Sequence, residues 1–439
     1  MISEQMSARL RPIEKGRTRL VSVLDIGSTK ICCTIARLVP RLKGQALRER
    51  THEPEVIGFG YGPSAGVESG MISDLDLAEK SIRFVLSEAE KKAGLTIESI
   101  IINVSSGDLS SQTLSANVAL DGQEVEKSDL SRVFEAVNEV SVEPKRTIIH
   151  ALPIGFSLDG QRNVAEPYGM VGEHLGVDVA IVSANTLVLR NIELVLNRCH
   201  LQVQAFVATP YASGLGALVD DEAHLGVACI DFGGATTAIS VFFEGHLVFA
   251  DVLPIGGQQI TMDIARQLSI SIDDAERIKT LYASVLPGQN DERELIPIMP
   301  IGMSEENSPN AIARSNITRI VRPRIEEILN GVREKIANAR MMDVAGRRFV
   351  FTGGASELTG LTELGQRMLS RHVRKGRAMG IAGLPEAAKG PAFSTIAGML
   401  VYPQICQHEF VAQNQNKTLM GSGGYLSRVI NRLKENFIE

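Results

Sequence analysis

The apolar positions of this chain fall into two patterns. Largely apolar runs at 21–24, 31–36, 227–230, 238–243 and 348–351 predict buried strands. Further strands are expected at 55–61, 100–104, 111–120, 146–154, 155–158, 178–183 and 201–206. Elsewhere apolar residues recur every three or four positions. Leu75, Ala78, Ile82, Val85, Leu86 and Ala89 give a helix over 75–93 one buried face, and Gly94 ends it. Helices are also expected over 128–140, with Ser128 as N-cap, over 185–198, from an opening at 254–259 through 268, and over 273–282 and 312–341. Pro323 predicts a kink or break in the last. Alternating strands and helices make this an α/β chain.

One strand pair is joined by Asp231, Phe232, Gly233, Gly234, Ala235, Thr236 and Thr237. Gly233 and Gly234 are expected to allow positive φ and to let backbone N–H groups approach an anion. Asp231 would repel bare phosphate, but it suits a site where hydrated Mg²⁺ lies between the two. The design recurs half a chain earlier. Asp25, Ile26, Gly27, Ser28, Thr29 and Lys30 sit between the runs 21–24 and 31–36. One such turn is also an ordinary hairpin signal. Two copies predict similar halves clamping the phosphates of a nucleotide, with Asp25 and Asp231 reaching the metal through water.

A third turn ends strand 348–351: Thr352, Gly353, Gly354, Ala355 and Ser356. A helical pattern follows at Leu358, Leu361, Leu364, Met368 and Leu369. The order Asp-x-Gly, Asp-x-Gly-Gly, Gly-Gly over 21–402 resembles the actin, Hsp70 and hexokinase ATPase superfamily. That resemblance implies ATP with Mg²⁺. Gly27, Ser28, Thr29 and Lys30 would face the phosphates from one side. Gly233, Gly234 and Thr236, with Gly256 and Gly257, would face them from the other. Gly353 and Gly354 would flank the nucleoside. Glu276 and Lys279 would hold ribose and adenine, although alone they read as a surface i,i+3 pair. Two departures stand out. Ala235 replaces a usual third glycine. Thr209 stands where hydrolytic members often carry Glu, so the attacking water lacks its usual orienting group and no catalytic residue is expected.

The chain has 439 residues, 44% hydrophobic and 22% charged, with a net charge of −6. That is an ordinary globular composition, long enough for two or more domains, with no general reason to expect nucleic acid. None of the five Cys lies in a CxxC pair, so zinc is not expected and reduced thiols of a cytosolic protein are. No stretch approaches the roughly 20 apolar residues of a membrane span. No signal peptide is read at the N-terminus, and residues 1–17 are expected to be a disordered arm without a partner. A long loop is expected over 40–54, and a hairpin or mobile loop over 287–311.

Residues 403–424 read as a flexible linker, with an amphipathic helix over 425–439 beyond it. Leu426, Val429, Ile430, Leu433 and Phe437 form its apolar seam, and Arg428, Arg432 and Lys434 lie off that seam. A basic amphipathic helix behind a linker fits a membrane surface, and docking on a protein is the alternative.

An actin-like two-lobed core, an inserted α+β subdomain and a terminal amphipathic helix resemble the FtsA family of bacterial cell-division proteins. So do the runs 151–156, 226–237 and 351–355. The family implies subdomain 1A at 18–98 and 179–214 with 391–402, and 1C at 99–178. It implies 2A at 215–256 and 345–390, and 2B at 257–344. It further implies filaments of the protein itself at the cytoplasmic face of the inner membrane, at the division site. The FtsZ C-terminal peptide would meet 2B near Arg314 and Arg319, within a basic set that includes Arg322 and Arg324. Later division proteins would bind through 1C. A pilus-assembly ATPase or a sugar-kinase-like enzyme of the same fold is the alternative reading, and neither explains the terminal helix.

Overall fold

The computed structural model describes residues 10, 13–14, 16–41, 50–106, 108–138, 143, 145–302, 310–406 and 409. The expected terminal helix lies outside these, as do most of the N-terminal arm and of the linker.

The chain opens with β1 (Arg19–Ile26), β2 (Lys30–Pro40), β3 (His52–Pro63), a short β4–β5 pair (Val67–Glu68, Met71–Ile72), α1 (Leu75–Ala93) and β6 (Ser99–Val104). An insert follows: β7 (Ser110–Ala119), α2 (Lys127–Asn138), β8 (Arg146–Leu158), β9 (Gln161–Val164) and β10 (His174–Asn185). Next come α3 (Thr186–Arg198), β11 (Gln202–Ala208), α4 (Thr209–Ala217) and α5 (Asp220–Leu225). The second half holds β12 (Val227–Phe232), β13 (Thr237–Phe243), β14 (His246–Leu253), α6 (Gly257–Leu268) and α7 (Ile272–Tyr282). It closes with β15 (Leu295–Ile298), β16 (Asn310–Ala313), α8 (Arg314–Asn338), β17 (Arg348–Thr352), α9 (Leu361–Leu369), β18 (His372–Lys375) and α10 (Ser394–Ile405).

Two sheets repeat one plan. The first runs β11-β6-β1-β2-β3, and the second contains β18-β17-β12-β13-β14. In each, an antiparallel hairpin carries the Asp turn, and two parallel strands lie beyond its first strand. This is an actin-like two-lobed fold. Each lobe has its own core. Ile31, Ile35, Ile82 and Ile101 centre one, and Ile230, Ile264, Val321 and Phe351 centre the other. The lobes meet where α4 crosses α10. A Cβ on Gly398 would lie 1.7 Å from Ala212 O, and one on Gly216 would lie 2.0 Å from Ser394 O. Only glycines let these two backbones touch.

The helix period was the most faithful signal. α1 matches its expected span and is closed by Gly94 in the left-handed region, and α6 ends at Leu268 as expected. Several expectations need correction. Ser128 lies inside α2 rather than capping it, and Asp129 instead accepts from Glu126 N–H at 2.9 Å. β8 is one strand where two were expected, because a register shift at Ile154 absorbs the break. Residues 99–104 do not open the insert, since β6 pairs with β1 and β11 in the first sheet. β10 does not return to that sheet. It lies between β7 and β8, and this layer extends the second sheet.

The segment 287–311 holds the β15–β16 hairpin. Ile312 belongs to β16, and α8 runs unbroken through Pro323. Pro323 and Arg319, whose carbonyl loses its partner, are both exposed, so water can replace the lost bond. The N-terminal arm is not free of the core, since Leu10 and Ile13 are buried in it. The linker does not begin at 403 or 404, because α10 continues to Ile405, and Gln404, Cys406 and Glu409 are buried.

Candidate functional site

The two Asp turns face each other across a cleft of about 330 Å³. Its walls include Asp25, Gly27, Ser28, Thr29, Lys30, Asp231, Gly233, Gly234, Thr236, Gly257, Glu276, Lys279, Gly353 and Gly354. Of the expected nucleotide residues, Gly256 alone lies outside the lining. It caps α6 and packs on the second turn, with a Cβ that would fall 2.6 Å from Gly234 O. The first N–H groups of α6 attach there too. Gly257 and Gln258 donate to Gly233 O and Gly234 O at 2.9 and 2.6 Å.

The turns are alike in detail. Gly27 N–H donates to Lys30 O at 3.0 Å, and Gly233 N–H donates to Thr236 O at 2.9 Å. Positive φ is not the reason for these glycines, because neither they nor Gly234 adopt it. Crowding is. A Cβ on Gly27 would lie 2.9 Å from Lys30 O, one on Gly233 2.7 Å from Thr236 O, and one on Gly234 2.6 Å from Thr29 Cγ2. The last contact shows how closely the two turns approach. Ala235 lies outside the left-handed region, so a side chain there causes no strain. Gly353 does have positive φ, 84°, and its Cβ would fall 2.2 Å from Asp231 Oδ1. Gly354 faces open space, with only Ala392 Cβ at 3.8 Å from its own missing Cβ.

Both carboxylates are buried, each 7% exposed. Burial pushes Asp25 upward, against the pull of Lys30. Burial, and then the charge of Asp25, raise Asp231 to about 6. Thr395 moderates this by donating to Asp231 Oδ2 at 3.1 Å. Lys30 is itself pulled below the ordinary lysine range by burial. It donates to Ala392 O and lies 3.3 Å from the Phe393 ring centroid. Two buried carboxylates share one partly suppressed ammonium. That is a donor set short of positive charge, and a hydrated divalent cation fits it.

The Glu276–Lys279 pair is more than a surface contact. Lys279 Nζ donates to Glu276 at 2.6 Å, to Thr261 Oγ1 at 2.8 Å and to Gly257 O at 3.1 Å. It therefore fastens α7 to the first turn of α6 at the cleft wall.

Asn103, Ser105, Glu357 and Thr395 also line the cleft and were not singled out from sequence. Asn103 Oδ1 accepts from Ile26 N–H at 2.7 Å, and Asn103 Nδ2 donates to Thr209 Oγ1 at 3.2 Å. The available signal was its place. Like Asp25 on the neighbouring strand of the first sheet, and Asp231 in the second, it is a polar residue near the end of an apolar strand.

The expected basic face of α8 carries little free charge. Arg314 donates to Tyr282 O and Glu294, both at 3.0 Å. Arg322 pairs with Glu326, and Arg324 with Asp263 and Glu327. Arg319 is the most exposed of the set, 3.5 Å from Glu292.

Comparison with known proteins agrees with this geometry. A family model described as cell division protein FtsA matches residues 228–398, and one described as the SHS2 domain inserted in FtsA matches 106–183. The cell division protein FtsA of Agrobacterium fabrum is 50% identical, over 98% of this chain and 97% of its own. The Pseudomonas aeruginosa protein of that name is 30% identical over 95% and 97%, and that of Escherichia coli K12 28% identical over 95% and 98%. Among solved structures, the PilM-PilN type IV pilus biogenesis complex contains a chain of similar fold. Its TM-score is 0.60 at 16% identity, over 88% of this chain and 98% of that one.

The raised Asp231 fixes a pH dependence. Unfolded, the group titrates near 3.8, and folded near 6, so the native state holds the extra proton between those values. Stability of the empty protein therefore falls as pH rises through that window and stays lower above it. Asp231→Asn should raise the melting temperature at pH 8, by up to about 3 kcal/mol of stability, and give no gain near pH 4. A pH-independent difference would contradict this. Gly354→Trp should fill the open wall and weaken nucleotide binding at least tenfold by calorimetry, with an unchanged melting temperature. Unaltered affinity would move the nucleoside elsewhere.

Proposed function

The chain belongs to the FtsA family of cell division proteins, and from that premise we propose that it is an ATP-binding adaptor that tethers FtsZ to the membrane. The observation that carries the reading is the pair of Asp turns, one from each lobe, packed face to face around one cleft. Ser28, Thr29, Lys30 and Thr236 would hold the phosphates. Gly353, Gly354, Glu276 and Lys279 would hold the nucleoside. Bound Mg²⁺ supplies positive charge that offsets the phosphates and both carboxylates together. Asp25 and Asp231 would hold it through water.

Thr209 supplies no carboxylate for an attacking water, and its hydroxyl is engaged by Asn103. ATP therefore acts as a switch for self-association into filaments rather than as a fuel. Among the described residues, no helix is long and apolar enough to cross a membrane. Attachment is assigned to the segment 425–439 on the cytoplasmic face of the inner membrane, at the division site. Burying an apolar side chain fully contributes about 1.5–3 kcal/mol, and each basic residue near anionic lipid about 1 kcal/mol. Glu435 and Glu439 offset part of the charge term. One short helix binds reversibly, and filaments bind tightly through many copies. The FtsZ C-terminal peptide is placed on 257–344, with Arg319 a better contact than the engaged Arg314. Later division proteins are placed on the insert.

Turnover should be far slower than the roughly 10 s⁻¹ median of enzymes, with ATP intact for many minutes. Phosphate release at the median rate would overturn the switch reading. Sedimentation of FtsZ onto anionic liposomes tests the tether. The protein should carry FtsZ down. Ile430→Glu and Phe437→Glu should leave both proteins in the supernatant with ATP affinity unchanged. Arg319→Glu should sediment alone. Sedimentation of the helix variants at the wild-type level would remove 425–439 as the anchor.

A further inference from the structure

Away from the cleft, three buried groups form a chain. His150 on β8 is fully buried, and Glu409, just beyond α10, is 1% exposed. Ala208 N–H donates to His150 Nε2 at 2.9 Å. A ring nitrogen that accepts carries no hydrogen, so the ring proton sits on Nδ1 and is donated to Glu409 Oε1, also at 2.9 Å. The rings of Tyr211 and Tyr402 stand edge-on to the imidazole at 5.1 and 5.5 Å and shield it from water. The second oxygen of Glu409 lies buried near the Tyr402 hydroxyl without a well-formed hydrogen bond.

This chain has a direction. Ala208 is the N-cap of α4, and the next residue, Thr209, lines the cleft and meets Asn103. His150 therefore fixes the backbone at the point where α4 enters the cleft. Its other nitrogen is held by a residue at the root of the C-terminal segment. We infer that His150 is a positioning residue of the cleft and that Glu409 holds it in place, so that the seating of the C-terminal root and nucleotide binding are coupled. This inference rests on the nucleotide reading of the cleft.

The physics is a two-state latch. With Glu409 seated, both ring nitrogens and Ala208 N–H are satisfied. With Glu409 withdrawn, Nδ1–H is a buried donor without an acceptor, the ring loses its orientation and Ala208 N–H loses its partner. Withdrawal has its own driving force, because a buried carboxylate with one unsatisfied oxygen regains water. Two opposed tendencies of this kind make an element that an outside force can bias. Tension on residues beyond 409 favours release and weakens nucleotide binding. By reciprocity, nucleotide that holds Thr209 favours the seated root.

The test uses the full chain and ATP with Mg²⁺. Glu409→Ala should bind ATP at least about fivefold more weakly, the low end of ordinary coupling between sites. Glu409→Gln should keep wild-type affinity, because its amide oxygen still accepts from Nδ1–H. ATP should slow hydrogen exchange over 403–409 in the wild type and leave it unchanged in Glu409→Ala. If Glu409→Ala melts below the assay temperature, the His150 pair decides. His150→Gln keeps a donor and an acceptor and should bind ATP better than His150→Leu. Equal ATP affinity across each pair, with the wild type binding normally, overturns the latch. A wild type that binds no ATP overturns the nucleotide reading itself, and the latch with it.

Discussion

The close crossing of α4 and α10 governs the architecture. Gly216 and Gly398 bring the two backbones together with no side chain between them. Such contact maximises dispersion and leaves no slack. It also sets the geometry at both ends of each helix. α4 begins at the cleft and α10 runs beside it, so the seam between lobes and the floor of the site are built from the same two helices. Thr209 and Thr395, one near the start of each, accordingly both line the cleft.

Duplication accounts for the rest of the site, and its asymmetries carry the chemistry. Both turns present an aspartate and a glycine held by crowding. The first turn adds Lys30, and the second adds the docking of α6. One lobe therefore contributes cationic charge and the other a rigid ledge of backbone. The Lys30 ammonium alone does not neutralise the two buried carboxylates, so the space between the turns favours a further positive charge.

Sequence pattern revealed the fold well wherever a rule was local. The two hairpins, the period of α1 and the glycines of the third turn all depend on neighbours within a few residues. What escaped was non-local. Whether Ser99–Val104 belongs to the insert or the first sheet depends on pairing with β1 and β11, which no window of sequence contains. Asn103 became a site residue through its reach to Ile26 and Thr209, remote in sequence. The positive-φ expectation for Gly233 and Gly234 fails, since neither adopts that conformation. Crowding rather than backbone handedness demands them, by Thr236 O of its own turn at Gly233 and by Thr29 of the opposite turn at Gly234. Arg314 and Arg324 looked available because their partners Glu294 and Asp263 lie outside α8, remote in sequence.

The insert leaves the first lobe after β6 and returns to it at α3, yet its sheet is hydrogen-bonded to the second lobe, through the pairing of Ser110 with Asp251 and through Ala250 N–H, which donates to Ser111 Oγ at 2.7 Å. Ile149, Leu152, Ala180 and Val182 on its inner face share a core with Ala205, Phe206, Leu247 and Ala250. Covalent order and hydrogen-bond order therefore divide the molecule along different lines. The crossing helices are one load path between the lobes, and the insert is a second in parallel. Any rotation of one lobe against the other must shear that short junction or carry the insert with it. Orientation of the insert is then a gauge of the angle between the lobes.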